Sequence, residues 1–141
     1  MRKLLIEYLI VSISLLLSFP FLNAQTQELL GTWNIIEFSM SSPEGDNLIT
    51  EENLTKEGSI WDLFFLKDGK FKQTSNMSGR GTLDSQVGSW KVEATNLSLQ
   101  LEINEQKFEL LYTFELEKEV LVLTRSNPMK TVKMISKFRK K

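Results

Sequence analysis

Two short stretches, "LSLQLEI" at residues 97 to 103 and "KFELLYTFEL" at 107 to 116, limit this chain more than any other feature. Apolar side chains occupy every second position: Leu97, Leu99, Leu101 and Ile103, then Phe108, Leu110, Tyr112, Phe114 and Leu116. Ser98, Gln100, Glu102, Glu109, Thr113 and Glu115 fall between them. A period of two sends alternate side chains to opposite faces of an extended chain, whereas a helix would scatter them around its axis. Each stretch therefore reads as a strand with one buried and one wet face.

The same period runs from Gly31 onward, interrupted by turn residues, and predicts eight strands. They span Thr32 to Met40, Ile60 to Leu66, Lys70 to Ser75, Val87 to Glu93, Leu97 to Ile103, Phe108 to Leu116, Val120 to Arg125 and Thr131 to Phe138. No helical stretch between them is long enough for a parallel crossover, so neighbours in sequence are expected to pair as antiparallel hairpins.

Hydrophobic parity fixes the register of three turns. In "LKDGK" the glycine suits the left-handed position of a type I turn with a G1 bulge, which gives a loop from Lys67 to Gly69 and sets Phe65 opposite Phe71. "EATNL" needs an even loop, because only then do Trp90 and Val92 share a face with Leu99 and Leu101. "LEKEV" is read with three loop residues, aligning Phe114 with Val122 and Leu116 with Val120, which leaves Leu111, Leu121 and Leu123 as an outward apolar strip. In the first strand Trp33 and Ile35 have one parity and Phe38 and Met40 the other, so a bulge is expected near Ile35.

Connection lengths then describe a shape. The second, fourth and sixth connections are tight, while Ser41 to Ser59, Asn76 to Gln86, Asn104 to Lys107 and Ser126 to Lys130 are longer or about equal. In a meander these two sets lie at opposite ends. The expected fold is all-β, an eight-stranded antiparallel up-and-down barrel with a stitched floor and an open mouth.

The N-terminus carries a different signal. Arg2 and Lys3 precede an apolar run too short for the roughly 20 residues of a membrane span, and Asn23-Ala24-Gln25 follows it. This pattern reads as a signal peptide over residues 1 to 24, removed after Ala24, with residues 25 to 141 as one mature domain and no stable membrane insertion after cleavage. The chain has no cysteine, so a Cys-anchored leader and disulfide staples are excluded and the core alone must hold the domain. It has no histidine either, which removes Ser-His-Asp triads and His-based zinc sites. Loss of Arg2, Lys3 and Glu7 moves the net charge from −1 to −2, and the only basic cluster is the tail from Lys137 to Lys141. No nucleic-acid partner is expected from such a balance.

Gly31-Thr32-Trp33 at the first strand, the "FLKDGKF" hairpin, "GSW" at Gly88 to Trp90 and a closing "KFRK" together resemble the bacterial lipocalin-like domains. The resemblance covers residues 30 to 139. It implies that Trp33 plugs the closed end, with Gly31 allowing the chain past the floor, and that Arg139 packs over the Trp33 ring.

The inward positions toward the long-loop end carry the candidate site: Trp61, Gln73, Trp90, Leu101, Phe108, Tyr112, Thr124 and Met134, with Ser136 as a further polar group. They either line a pocket for an apolar ligand or simply fill the barrel, since eight strands leave room for side chains or for one small ligand. Trp61 and Trp90 are expected near the mouth, with the Ser41 to Ser59 loop folding across as a lid. Glu51, Glu52, Asp62 and Asp84 do not pair as an acid and a base, so no catalytic or metal-binding residue and no cofactor is assigned. The expectation is a secreted or periplasmic lipocalin-like protein that binds a small hydrophobic ligand without transforming it. The alternative is a filled barrel that acts as a protein interaction module through its loops or outer face.

Overall fold

The computed structural model describes residues 24 to 141. The leader assigned to residues 1 to 24 lies outside that range apart from Ala24. A short helix α1 (Ala24–Leu29) leads into β1 (Gly31–Ser42), β2 (Gly45–Ile49), helix α2 (Glu51–Glu57) and β3 (Trp61–Phe65). A single 3-10 turn (Lys67–Gly69) then connects to β4 (Lys70–Ser75), β5 (Asp84–Glu93), β6 (Asn96–Ile103), β7 (Gln106–Glu117), β8 (Val120–Ser126) and β9 (Lys133–Lys140).

β1 and β3 to β9 pair in chain order, all antiparallel, and β9 returns to β1 to close an eight-stranded barrel. β1 is shared along its length on the other edge. Gly31 to Asn34 pair with β3, and Phe38 to Ser42 pair with β2. β2 therefore continues the wall above β3, and all eight expected strands are found with this short one added. The expected bulge is present: Ile35 faces Phe138, but Glu37 faces Lys137, so Ile36 is the extra residue. That single insertion keeps Trp33 and Ile35, then Phe38 and Met40, on one inward face.

Two of the three turn registers follow the sequence reading. Phe65 lies opposite Phe71, and Trp90 opposite Leu99 with a two-residue turn at Ala94 and Thr95. The third differs. Glu117 pairs with Val120 across a two-residue turn, so Phe114 meets Leu123 and Leu116 meets Leu121. One residue of slip exchanges the faces of the whole strand. Leu121 and Leu123 are buried in the core rather than on an outward strip, while Leu111 is 61% exposed. Asn104 and Glu105, both at positive φ, likewise close a two-residue turn instead of a longer loop.

The floor is the dense end. Trp33, Phe65, Phe71, Leu97, Leu121 and Phe138 are almost fully buried there, and α1 lays Leu29 across the bottom. The Trp33 indole N–H donates to the Leu29 carbonyl at 2.8 Å, which ties the helix end to the plug. Gly31 has φ of 123°, a region closed to other residues, and a Cβ there would press on the Lys140 side chain at 3.3 Å.

Arg139 does not cover Trp33. β9 sends Phe138 inward, so its neighbour Arg139 faces out and forms a two-pronged contact with Glu51 at 2.7 and 3.1 Å. Lys140, back in phase, places its ammonium 5.2 Å from the Trp33 ring centre and donates to the Glu28 carbonyl at 2.9 Å. The cation over the plug is a lysine one position further along.

Candidate functional site at the barrel mouth

The mouth pocket is built from strands whose inward parity is already fixed at the floor. From Phe65 opposite Phe71, the β3–β4 ladder climbs to Leu63 opposite Gln73 and Trp61 opposite Ser75. From Phe71 opposite Gly88, the β4–β5 ladder climbs to Gln73 opposite Gln86 and Ser75 opposite Asp84. Gly88 permits the close approach of β6 here, because a Cβ would lie 1.8 Å from the Gln100 carbonyl oxygen. Phe38 of β1 and Ile49 of β2 face each other in register and complete the wall.

These strands enclose a hollow of about 410 Å³ lined by Phe38, Ile49, Trp61, Gln73, Ser75, Met77, Ser78, Asp84 and Gln86. Its size falls within the range of small-molecule sites, and its composition of apolar walls with a few polar groups is the usual one. Trp61 leans edge-on against Phe138 at 5.2 Å, and its indole N–H donates to Gln73 Oε1 at 3.2 Å. Gln73 Nε2 in turn donates to Gln86 Oε1. At the rim, Asp84 accepts from the Ser78 hydroxyl at 3.1 Å. Asn76, just past β4, clamps the chain leading into β3 by bonding the Gly58 carbonyl and the Ile60 N–H at 2.9 and 2.7 Å.

Of the eight residues the sequence nominates, Trp61 and Gln73 share this hollow. Trp90 sits at the closed end instead, edge-on to Phe65 at 5.3 Å, with its N–H donating to the Leu66 carbonyl at 3.0 Å. The physical reason is that β5 runs toward the floor, and Trp90 lies past the residue that faces the first position of β4. Leu101 is buried beneath the β6–β7 hairpin, and Phe108 on that hairpin is 44% exposed. Tyr112 is buried in the wall, where loss of water raises its phenol above the ordinary range, partly opposed by the neighbouring Arg125. Met134 faces Met40 and Arg125, half-buried and off the pocket. Thr124 faces outward, a direct result of the slipped β7–β8 register that turned Leu123 inward.

The predicted lid is also different. Ser41 to Ser59 folds into β2 and α2; Ile49 lines the mouth, but the Glu51 contact with the outward Arg139 holds the start of α2 at the outer wall. Phe38, Ile49, Met77, Asp84 and Gln86 are site residues that the sequence reading passed over. Counting back in twos from Trp90 reaches Gln86 and Asp84 on the same face, because the strand begins at Asp84 and not at Val87.

A larger groove of about 890 Å³ lies on the outer wall across β5 to β8, lined by Ser89, Lys91, Ser98, Gln100, Leu111, Thr113 and Thr124 among others. Three of the nominated residues, Trp90, Tyr112 and Thr124, border it together with Leu111, and most of its other lining residues are polar or charged. Among the described residues no cluster of acidic side chains is placed to hold a metal ion.

No protein-family model and no curated protein sequence matches the chain. Solved structures do. A lipocalin-like protein from Bacteroides uniformis superposes with a TM-score of 0.53 at 18% identity, over 81% of this chain and 99% of that one. An uncharacterized protein from Bacteroides eggerthii gives 0.50 at 17% identity, over 79% and 98%. A de novo designed fluorescence-activating β-barrel gives 0.50 at 12% identity, over 82% and 96%. At such identities the likeness is one of fold, and it agrees with the closed ladder described above: this chain has the eight-stranded barrel of the lipocalin-like proteins.

Proposed function

We propose that the protein is an exported, non-catalytic carrier or sensor that holds one small, largely apolar ligand in the mouth of its barrel. The observation that carries this reading is the pairing of apolar walls from Phe38, Ile49, Trp61 and Met77 with the Gln73–Gln86 pair in one 410 Å³ hollow. A barrel serving only as a scaffold has no need to leave that volume unfilled. The absence of histidine and cysteine argues against most acid-base and nucleophilic chemistry at the same place.

Tryptophan emission tests it. The chain has three tryptophans; Trp33 and Trp90 are buried at the floor and only Trp61 borders the hollow. Titration with an apolar probe should change the emission, and Trp61→Phe should abolish the change. A saturable response that survives Trp61→Phe, or none at all, would overturn the mouth as the site. Export predicts an intact mass beginning at Gln25 outside the cytoplasm; a cell-associated chain that keeps residues 1 to 24 would overturn that part.

A second reading, interaction through the outer surface, draws on one observation. The β7–β8 pairing ends at Thr113, so Gln106 to Tyr112 are paired only with β6. The Phe114 N–H bonds toward β6, so by alternation Lys107, Glu109 and Leu111 aim their backbone groups at the unpaired edge. The occupant that fits is a second copy of the chain. Antiparallel pairing of β7 with itself about Phe108 sets Lys107 opposite Glu109 twice, whereas centring on Glu109 would oppose two carboxylates. A dimer in native mass spectrometry that Lys107→Glu disrupts and Lys107→Glu with Glu109→Lys restores would support this reading; a monomer at high concentration would overturn it.

A further inference from the structure

We infer that the mouth pocket is matched to an uncharged amphiphile whose polar end accepts hydrogen bonds, of the ketone, ester or amide kind, in preference to a fatty-acid anion. This deepens the proposed function and rests on the mouth being the ligand site. The reasoning starts from a group with no freedom of choice. An indole N–H can only donate, so Gln73 must turn its carbonyl oxygen to Trp61, 3.2 Å away. The Gln73 amide nitrogen then faces β5, where it donates to Gln86 Oε1. The orientation of both amides follows from the tryptophan, since flipping either would set a donor against a donor.

The relay therefore begins at an obligate donor and ends at donors. Gln86 has spent its oxygen, and among the described residues its Nε2 hydrogens meet no protein acceptor. Gln86 itself lines the hollow. A ligand atom that reaches those hydrogens gains only if it carries lone pairs.

Charge narrows the class. Asp84 lies two residues from Gln86 on the same face of β5 and lines the same hollow. Its carboxylate accepts from Ser78 at 3.1 Å and forms no ion pair with any described residue, so its negative charge is uncompensated at the rim. An anionic head would meet that field and lose its own hydration without a cation to replace it. A neutral acceptor carries neither cost.

The test uses 2-decanone, decanoate and decylammonium, which share an alkyl chain and differ at the head, followed by Trp61 emission and by calorimetry. The wild-type chain should bind 2-decanone at least several-fold more tightly than decanoate. Gln86→Glu keeps an acceptor for Gln73 but offers the ligand no donor, so 2-decanone should weaken about 3- to 10-fold, the size of one net hydrogen bond, while decylammonium gains. Asp84→Asn should strengthen decanoate relative to 2-decanone and so narrow the preference between them. Circular dichroism checks that both variants fold. Equal binding of 2-decanone and decanoate, or a Gln86→Glu variant that binds 2-decanone as before, overturns the head-group inference while leaving the pocket intact. Failure of all three probes to bind overturns both together.

Discussion

Trp33 and Lys140 link the two ends of the described chain at the floor. The indole closes the floor at 1% exposure and holds the α1 carbonyl of Leu29, while Lys140 stands over the ring and holds that of Glu28. A cation at a helix C-terminus and over an aromatic face gains twice from one position. Trp33→Ala is expected to cost about 3 to 5 kcal/mol through the cavity it leaves, and denaturant unfolding measures this. A loss under 1 kcal/mol would mean the ring is not a plug. Lys140→Ala should cost about 1 kcal/mol, more than Arg139→Ala, whose partner Glu51 is half-exposed and worth little as an ion pair. The plug was legible through the family resemblance that Gly31-Thr32-Trp33 carries, and a wide aromatic suits the taper. The cation was not read correctly, although parity pointed past Arg139: with Phe138 inward, position 140 and not 139 returns to the floor.

At the level of elements, the segment from Ser41 to Ser59 shows both what sequence yields and what it hides. Its helix carries readable signals, with Thr50 before Glu51 and Glu52 and with Lys56 and Gly58 at the other end. The seven-residue length kept it below the scale at which periodicity speaks, and β2 has only Leu48 and Ile49 to mark it. The β7–β8 turn was missed for another reason. Val120 and Val122 alternate as well as Leu121 and Leu123 do, so parity could not choose, and the turn is closed by Lys118 at φ of 55° with no glycine to mark it. α2 is anchored by Leu54, 3% exposed, so Leu54→Ala should destabilise by about 2 kcal/mol or more. Shortening this segment should thus lower stability, not only alter ligand exchange. The bond from Arg139 holds the Glu51 carboxyl below its ordinary range. A depressed folded value means the stabilisation is complete above the unfolded carboxylate range and is lost as pH falls through the lowered value. Titration of the Glu51 carboxyl carbon by NMR should show this shift, and Arg139→Gln should return it to the ordinary range; an unshifted wild-type titration would mean α2 is not held there.

Across the whole molecule, order is graded along the barrel axis. The floor joins α1, both ends of the described chain and three tight turns around a packed aromatic cluster, whereas the mouth holds the hollow, the Asn76 to Leu83 loop and a β6–β7 hairpin that outruns its neighbours. Backbone amides should exchange with solvent accordingly, slowest around Trp33, Phe65 and Phe138 and fastest toward the mouth, because local opening there disrupts few buried contacts. The hairpin sharpens the expectation to single residues. Phe108 and Leu110 send their N–H groups to β6, and Lys107 and Glu109 send theirs to the open edge. In a monomer, exchange along β7 should alternate, with Lys107 and Glu109 fast and Phe108 and Leu110 slow. If two chains pair through β7, the fast set becomes protected as protein concentration rises, with no change at the floor. If a ligand fills the mouth instead, protection spreads along β3, β4 and β5 around Trp61, Gln73 and Gln86 and leaves the β7 alternation untouched. A single hydrogen-exchange series, repeated with 2-decanone and at two protein concentrations, thus separates the two functional readings. Uniform protection from floor to mouth in every condition would contradict both, since it would require the upper barrel to be as tightly packed as the plug.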